Sequence, residues 1–314
     1  MGKYLEDLTL RLARGAGELD EKIRQRHTDY FLAAQREDGG FAGREGASDL
    51  YYTAFGMRAL SILGELYGQR AERCAAFIQS KMQGRESIVD FLSLIYAGKL
   101  LEISAGIDVF AKAVPSWKQS IADAMEKLRR SDGGYAKGEE GVASSTYHTF
   151  LVLLCLELLE LPLPDPKSVT DFLITMRAEE GGFREIRVGK RAGANPTAAA
   201  IGSLRILGTL TDEVRDDTID YLLDMQSDEG GFQANTRIPF ADLLSTFTGL
   251  LTLMDLSGDD DLNIKSLERF VRSLELETGG FRAAVLDPAH DVEYGFYGLG
   301  ALCLLAERNS IPTP

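Results

Sequence analysis

The sequence predicts an all-α toroid, an (α/α)6 ring of six helix pairs in one domain spanning residues 1–314, on three observations. A Gly-Gly-aromatic signature recurs at Gly39-Gly40-Phe41, Gly133-Gly134-Tyr135, Gly181-Gly182-Phe183, Gly230-Gly231-Phe232 and Gly279-Gly280-Phe281. Its first glycines stand 94, 48, 49 and 49 residues apart, so the first interval hides a worn sixth copy near residue 86. The helix after each signature is apolar nearly all round, as in Phe150-Leu151-Val152-Leu153-Leu154, and such a helix must be covered on both sides. A unit of this size cannot bury its faces alone and stacks on its neighbours. An open solenoid would need polar capping copies, and their absence favours closure.

The N-terminal run Met1-Gly2-Lys3-Tyr4-Leu5-Glu6-Asp7-Leu8 is acidic where a signal peptide needs an apolar stretch. It reads as a helix of the folded body, and the protein as cytoplasmic. In the first copy, Leu19, Ile23, Tyr30, Phe31 and Ala34 follow helical spacing between Glu18 and Arg36. The Gly-Gly turn stops that helix, because glycine takes the left-handed backbone that ends one. Asp49 then caps an apolar helix over Leu50–Leu60, its carboxylate accepting from the first free amides. The worn copy keeps the helix and one glycine in Phe77-Ile78-Gln79-Ser80-Lys81-Met82-Gln83-Gly84 and enters Phe91-Leu92-Ser93 through a shortened turn. Later copies place Ser145, Asn195, Asp242 and Asp291 at the cap.

The chain is 45% hydrophobic with no apolar run long enough for a membrane span. A net charge of −14 argues against nucleic acid, and Asp259-Asp260-Asp261 reads as a solvated loop. Cys74, Cys155 and Cys303 stand singly in apolar helical contexts, as buried thiols of a reducing compartment. With only His27, His148 and His290, an all-Cys/His zinc site is nearly excluded.

Gln35-Arg36-Glu37-Asp38-Gly39-Gly40-Phe41 and Gln226-Ser227-Asp228-Glu229-Gly230-Gly231-Phe232 resemble the Gln-x-x-x-Gly-x-aromatic motif of the protein prenyltransferase beta subunits and, more distantly, of the terpenoid cyclases. The likeness is best to the Rab geranylgeranyltransferase beta subunit in the last copy, Glu277-Thr278-Gly279-Gly280-Phe281 and Asp291–Leu299. The resemblance implies an alpha-alpha toroid whose cavity holds an isoprenoid or prenyl diphosphate, and leaves open a protein acceptor and an alpha-type subunit as partners. It also implies a zinc held by Asp, Cys and His. Asp242 fills the first place, but Leu244 stands for the Cys and Tyr294 for the His, so no cofactor is expected. Arg191 and Arg237 fall where relatives bind diphosphate, with Lys190 beside them, while Pro239 and Ser245 replace the expected Lys and Tyr. These cations read equally as phosphate ligands or solvated loop charges. The cyclases' Asp-x-Asp-Asp run is absent.

Positions two, three and six past each cap share one helix face. They read Tyr51, Tyr52, Phe55; Tyr147, His148, Leu151; Thr197, Ala198, Ile201; Leu244, Ser245, Thr248; and Glu293, Tyr294, Tyr297. Such an aromatic wall suits an isoprenoid chain and its allylic cation, or else plugs the core. Asp242 and Glu293, in adjacent copies at matched depth, are candidate catalytic carboxylates that raise each other's proton affinity if they share a site. Three readings stand: a prenyltransferase working without the usual zinc, which is favoured; a non-catalytic isoprenoid-binding scaffold; and a small terpene cyclase using carboxylate acid chemistry.

Overall fold

A computed structural model of the chain describes residues 4–82 and 87–310. Met1 to Lys3 and the Gln83-Gly84 end of the worn copy therefore lie outside the described residues. Helix α1 (Tyr4–Glu18) precedes six pairs: α2 (Glu21–Ala34) with α3 (Leu50–Ile62), α4 (Gly68–Ser80) with α5 (Ile88–Ala105), α6 (Trp117–Glu126) with α7 (Thr146–Leu159), α8 (Pro166–Thr175) with α9 (Ala194–Leu207), α10 (Asp212–Asp224) with α11 (Leu243–Leu256), and α12 (Ile264–Ser273) with α13 (Val292–Ser310). A hairpin of β1 (Arg282–Ala284) and β2 (Asp287–His290) lies before α13, antiparallel, with Arg282 opposite His290. No helix of the described residues is long and apolar enough to cross a membrane.

The second helix of each pair carries the core. Buried residues ring α7 from Leu151 through Leu156, whereas α2 buries only His27, Thr28 and Phe31. The three cysteines are buried and free, and burial pushes the Cys74 thiol up to about 12.

One device repeats at every complete turn. The aromatic of the signature is fully buried in each copy. In four copies its backbone N–H donates to a threonine hydroxyl on the following helix: Phe41 to Thr53 (2.9 Å), Tyr135 to Thr149 (3.0 Å), Phe183 to Thr197 (2.9 Å) and Phe232 to Thr246 (3.0 Å). The turn also touches the next copy. Gly181 has φ +92°, and a Cβ there would lie 2.4 Å from the Asp217 carbonyl oxygen, so glycine is required twice over.

Caps follow expectation at Asp49, Ser145, Asp242 and Asp291, which accept from the amides of Tyr52, His148, Ser245 and Tyr294. Asn195 is a correction. Gly193, extended at φ −141° and ψ 155°, takes the cap position of α9. Its N–H bonds Phe183 as Asp49 bonds Phe41, and Thr197 keeps the four-residue spacing of Thr53 from its cap. No cap side chain is needed here, because the third residue, Pro196, has no N–H to donate, and the Ala194 N–H donates to the Ala234 carbonyl of the next copy. The wall positions of this copy are therefore Asn195, Pro196 and Ala199, and Thr197 is fully buried. The worn copy also starts earlier than expected, with Ser87 and Asp90 forming a capping box at the head of α5.

The chain forms two compact units, Met1–Val114 with Glu268–Pro314, and Pro115–Leu267. Within the first, α13 packs on α1 and α3, and α3 packs on α5. The last copy thus rests on the first: a Cβ on Gly279 would sit 2.4 Å from the Arg26 carbonyl, and Phe281 stacks on His27 with ring centroids 4.8 Å apart. His27 is fully buried, accepting the Gly280 N–H at Nδ1 (3.1 Å) and facing Glu275 with Nε2 (3.1 Å). Within the second unit, α9 packs between α7 and α11.

Candidate functional site

In the second unit the loops leading into α7, α9 and α11 are laced side by side. The Thr146 N–H bonds the Glu185 carbonyl (2.9 Å), and the Ala194 N–H bonds Ala234 (3.0 Å). This lacing brings Lys190, Arg191 and Arg237 from two copies around one pocket of about 550 Å³, together with Glu185, Asn195 and Asn235. Arg191 donates to Thr236 (2.7 Å), and the Arg237 backbone is held by Asn235 (3.0 Å). Among the described residues no carboxylate forms an ion pair with any of the three cations. Three cations thus share one concave site, whose lining also holds the Glu185 carboxyl.

A second polar group adjoins it. The buried Ser145 hydroxyl donates to Glu185 and lies 2.8 Å from His148 Nδ1, while the His148 backbone N–H points at the same oxygen (3.1 Å). Burial raises the Glu185 carboxyl above its usual range. Burial, with Lys137 nearby, holds His148 down. The Tyr147 ring, 39% exposed, packs edge-on to His148.

Asp242 is occupied structurally. One carboxylate oxygen accepts the Ser245 N–H (2.8 Å) and the other the Ser245 hydroxyl (2.7 Å), while burial raises its proton affinity. The side chains at the family's zinc positions do not fit the ion. Leu244 offers no donor atom, and the capping bonds engage both oxygens of Asp242. Among the described residues no group of three His, Cys, Asp or Glu is placed to hold a metal.

In the first unit the heads of α3 and α13 assemble the aromatic residues. Tyr51, Tyr52, Phe55, Phe296 and Tyr297 form a chain of edge-on and tilted contacts at 5.0–5.9 Å, and Tyr294 joins through Tyr297 at 6.2 Å. Phe55 and Tyr297 are buried, whereas Tyr51, Tyr52 and Tyr294 keep part of their surface open. Glu293 sits inside this cluster, accepting from the Tyr51 hydroxyl (2.6 Å) and, more loosely, from Tyr297 (3.4 Å). Burial lifts its carboxyl above the usual range. The Tyr51 bond opposes that shift, and the Asp291 charge adds to it. Arg44 bridges Asp287 (3.1 Å) and Asp291 (3.5 Å) and lies over the Tyr294 ring. Deeper along α3, Arg58 lies 3.9 Å from the Phe296 ring centroid and near those of Phe55 and Tyr96.

Ser145, Glu185, Arg44 and Arg58 are site residues that sequence reasoning missed. Arg58 carried a signal, as the one charge within Leu50–Ile62. Glu185 carried none, since only the lacing of adjacent loops brings it to Ser145.

Residues 9–89, 94–193 and 197–313 match the prenyltransferase alpha-alpha toroid domain, so the chain belongs to that family and has its fold. Among solved structures it is similar to Candida albicans protein geranylgeranyltransferase-I complexed with GGPP, with a TM-score of 0.71 at 16% identity over 90% of this chain and 91% of that one. A type II terpene cyclase from Scytonema, in complex with geranylgeranyl dihydroxybenzoate as substrate, has a TM-score of 0.61 at 13% identity over 96% and 98%. A protein from Actinoplanes has a TM-score of 0.61 at 14% identity over 91% and 98%. At these identities the likenesses speak for the fold alone. No curated protein sequence matches the chain.

Proposed function

We propose that this chain is a prenyltransferase-like protein, one toroid domain that binds a prenyl diphosphate and transfers its prenyl group without zinc. The observation that carries this reading is the convergence of Lys190, Arg191 and Arg237 on one pocket with no carboxylate paired to them. Guanidinium and ammonium groups so placed suit a diphosphate. Tyr147, beside His148 in the same unit as the pocket and 39% exposed, offers apolar surface of the kind an isoprenoid needs.

Titration calorimetry with inorganic pyrophosphate and with geranylgeranyl diphosphate tests the reading. Arg191→Gln and Arg237→Gln should each weaken both ligands by about ten- to a hundredfold, as expected for losing a charge-assisted hydrogen bond worth ~1.5–3 kcal/mol. Tyr147→Ala should weaken only the lipid, by about 1 kcal/mol or more. A wild type that binds neither ligand sinks the proposal. One zinc per chain, lost on Asp242→Ala, would overturn the metal-free part.

Glu293 favours a second reading, cyclisation of a polyprenyl compound. A half-open carboxyl among tyrosines, with its proton held tightly, suits a general acid. Cyclic products that vanish in Glu293→Gln would establish it over transfer.

A further inference from the structure

We propose that His148, Ser145 and Glu185 form a base site on the edge of the basic pocket, with His148 Nε2 taking the proton of the acceptor during transfer. This rests on the diphosphate reading of that pocket, one wall of which is Glu185. The hydrogen-bond arithmetic fixes the arrangement. Ser145 has a single proton and directs it to Glu185. The same oxygen then accepts, both from the His148 backbone N–H and from the ring at Nδ1. With Glu185 ionised, a neutral His148 therefore carries its proton on Nδ1, which leaves Nε2 a bare lone pair. His148 keeps part of its surface open, while Ser145 is buried behind it. Ser145 and Glu185 are thus positioning residues, and His148 is the one that touches the acceptor.

The step balances without a metal. The acceptor O–H or S–H gives its proton to Nε2 as its lone pair attacks C1 of the prenyl group. The C1–O bond breaks, and its electron pair leaves with pyrophosphate into the Lys190, Arg191 and Arg237 pocket. The imidazolium then holds the Ser145 oxygen at Nδ1, with Glu185 as its counter-charge one hydroxyl away.

Nitrogen-15 NMR of the full chain reads the tautomer with no turnover needed. Wild type should show His148 protonated at Nδ1 and bare at Nε2. In Glu185→Leu the serine proton has lost its acceptor and turns to Nδ1, so the ring should flip to Nε2–H. Wild type already protonated at Nε2, or no flip in Glu185→Leu, overturns the proposal. The kinetic arm uses geranylgeranyl diphosphate with water as acceptor. His148→Gln should slow pyrophosphate release at least tenfold while leaving the Kd of inorganic pyrophosphate unchanged. Release at the wild-type rate in His148→Gln, or none from a wild type that binds pyrophosphate, counts against the base. Failure of pyrophosphate to bind strikes the diphosphate reading instead, and the NMR result stands apart from it.

Discussion

Glu293 is held by the Tyr51 hydroxyl at 2.6 Å in surroundings that disfavour its charge. Tyr51→Phe removes the nearer of its two tyrosine donors, so urea titration should show a loss of about 1–3 kcal/mol. The pH dependence has a definite sign. A carboxyl whose proton affinity is raised by folding adds stability when protonated, and that contribution is lost as the pH rises through its folded value. Glu293→Gln should therefore melt higher than wild type at neutral pH, because the amide oxygen still accepts from Tyr51 and the buried charge is gone. The gap should close on acidification. A gap that widens toward low pH would mean that the ionised form is the favoured one.

At the scale of elements, the Gly-Gly turn is the joint of the repeat. Gly181→Ala forces a side chain into left-handed backbone and against the Asp217 carbonyl, at a cost on the order of 3 kcal/mol or more. Gly208 ends α9 with a similar positive φ but open space around it, so Gly208→Ala should cost only about 1–2 kcal/mol. Equal losses in calorimetric melting would refute the steric part of this account. The helix pairs were legible because the turn glycines, the apolar second helices and four of five caps are local chemistry. The α9 cap was not, because Asn195 is a good capping type two residues downstream of the true cap, and the Phe183–Thr197 bond that fixes the register joins residues 14 apart. The conjunction of Lys190, Arg191 and Arg237 was legible as a possibility only. Whether loop charges meet on one pocket depends on lacing between copies, which no single copy encodes.

At the scale of the molecule, His27 joins the last copy to the first. It accepts the Gly280 N–H, and burial together with Arg26 and Arg272 lowers it to about 4, while the neighbouring Glu275 is already paired with Arg26. The unfolded chain takes up this proton from about pH 6.5 downward, whereas the folded chain resists it to about pH 4. Stability should fall across that window by up to ~1.4 kcal/mol per pH unit, and the slope of melting temperature against pH should flatten in His27→Gln. The same junction sets an order of events during synthesis. Phe281 leaves the ribosome 250 residues after Phe31, on the order of ten seconds or more later at ~5–20 residues per second. The apolar flank of the first copy must wait uncovered for that time. A message truncated before residue 279 should therefore yield a product whose N-terminal helices are captured by chaperones or degraded, even though every residue of the first copy is present.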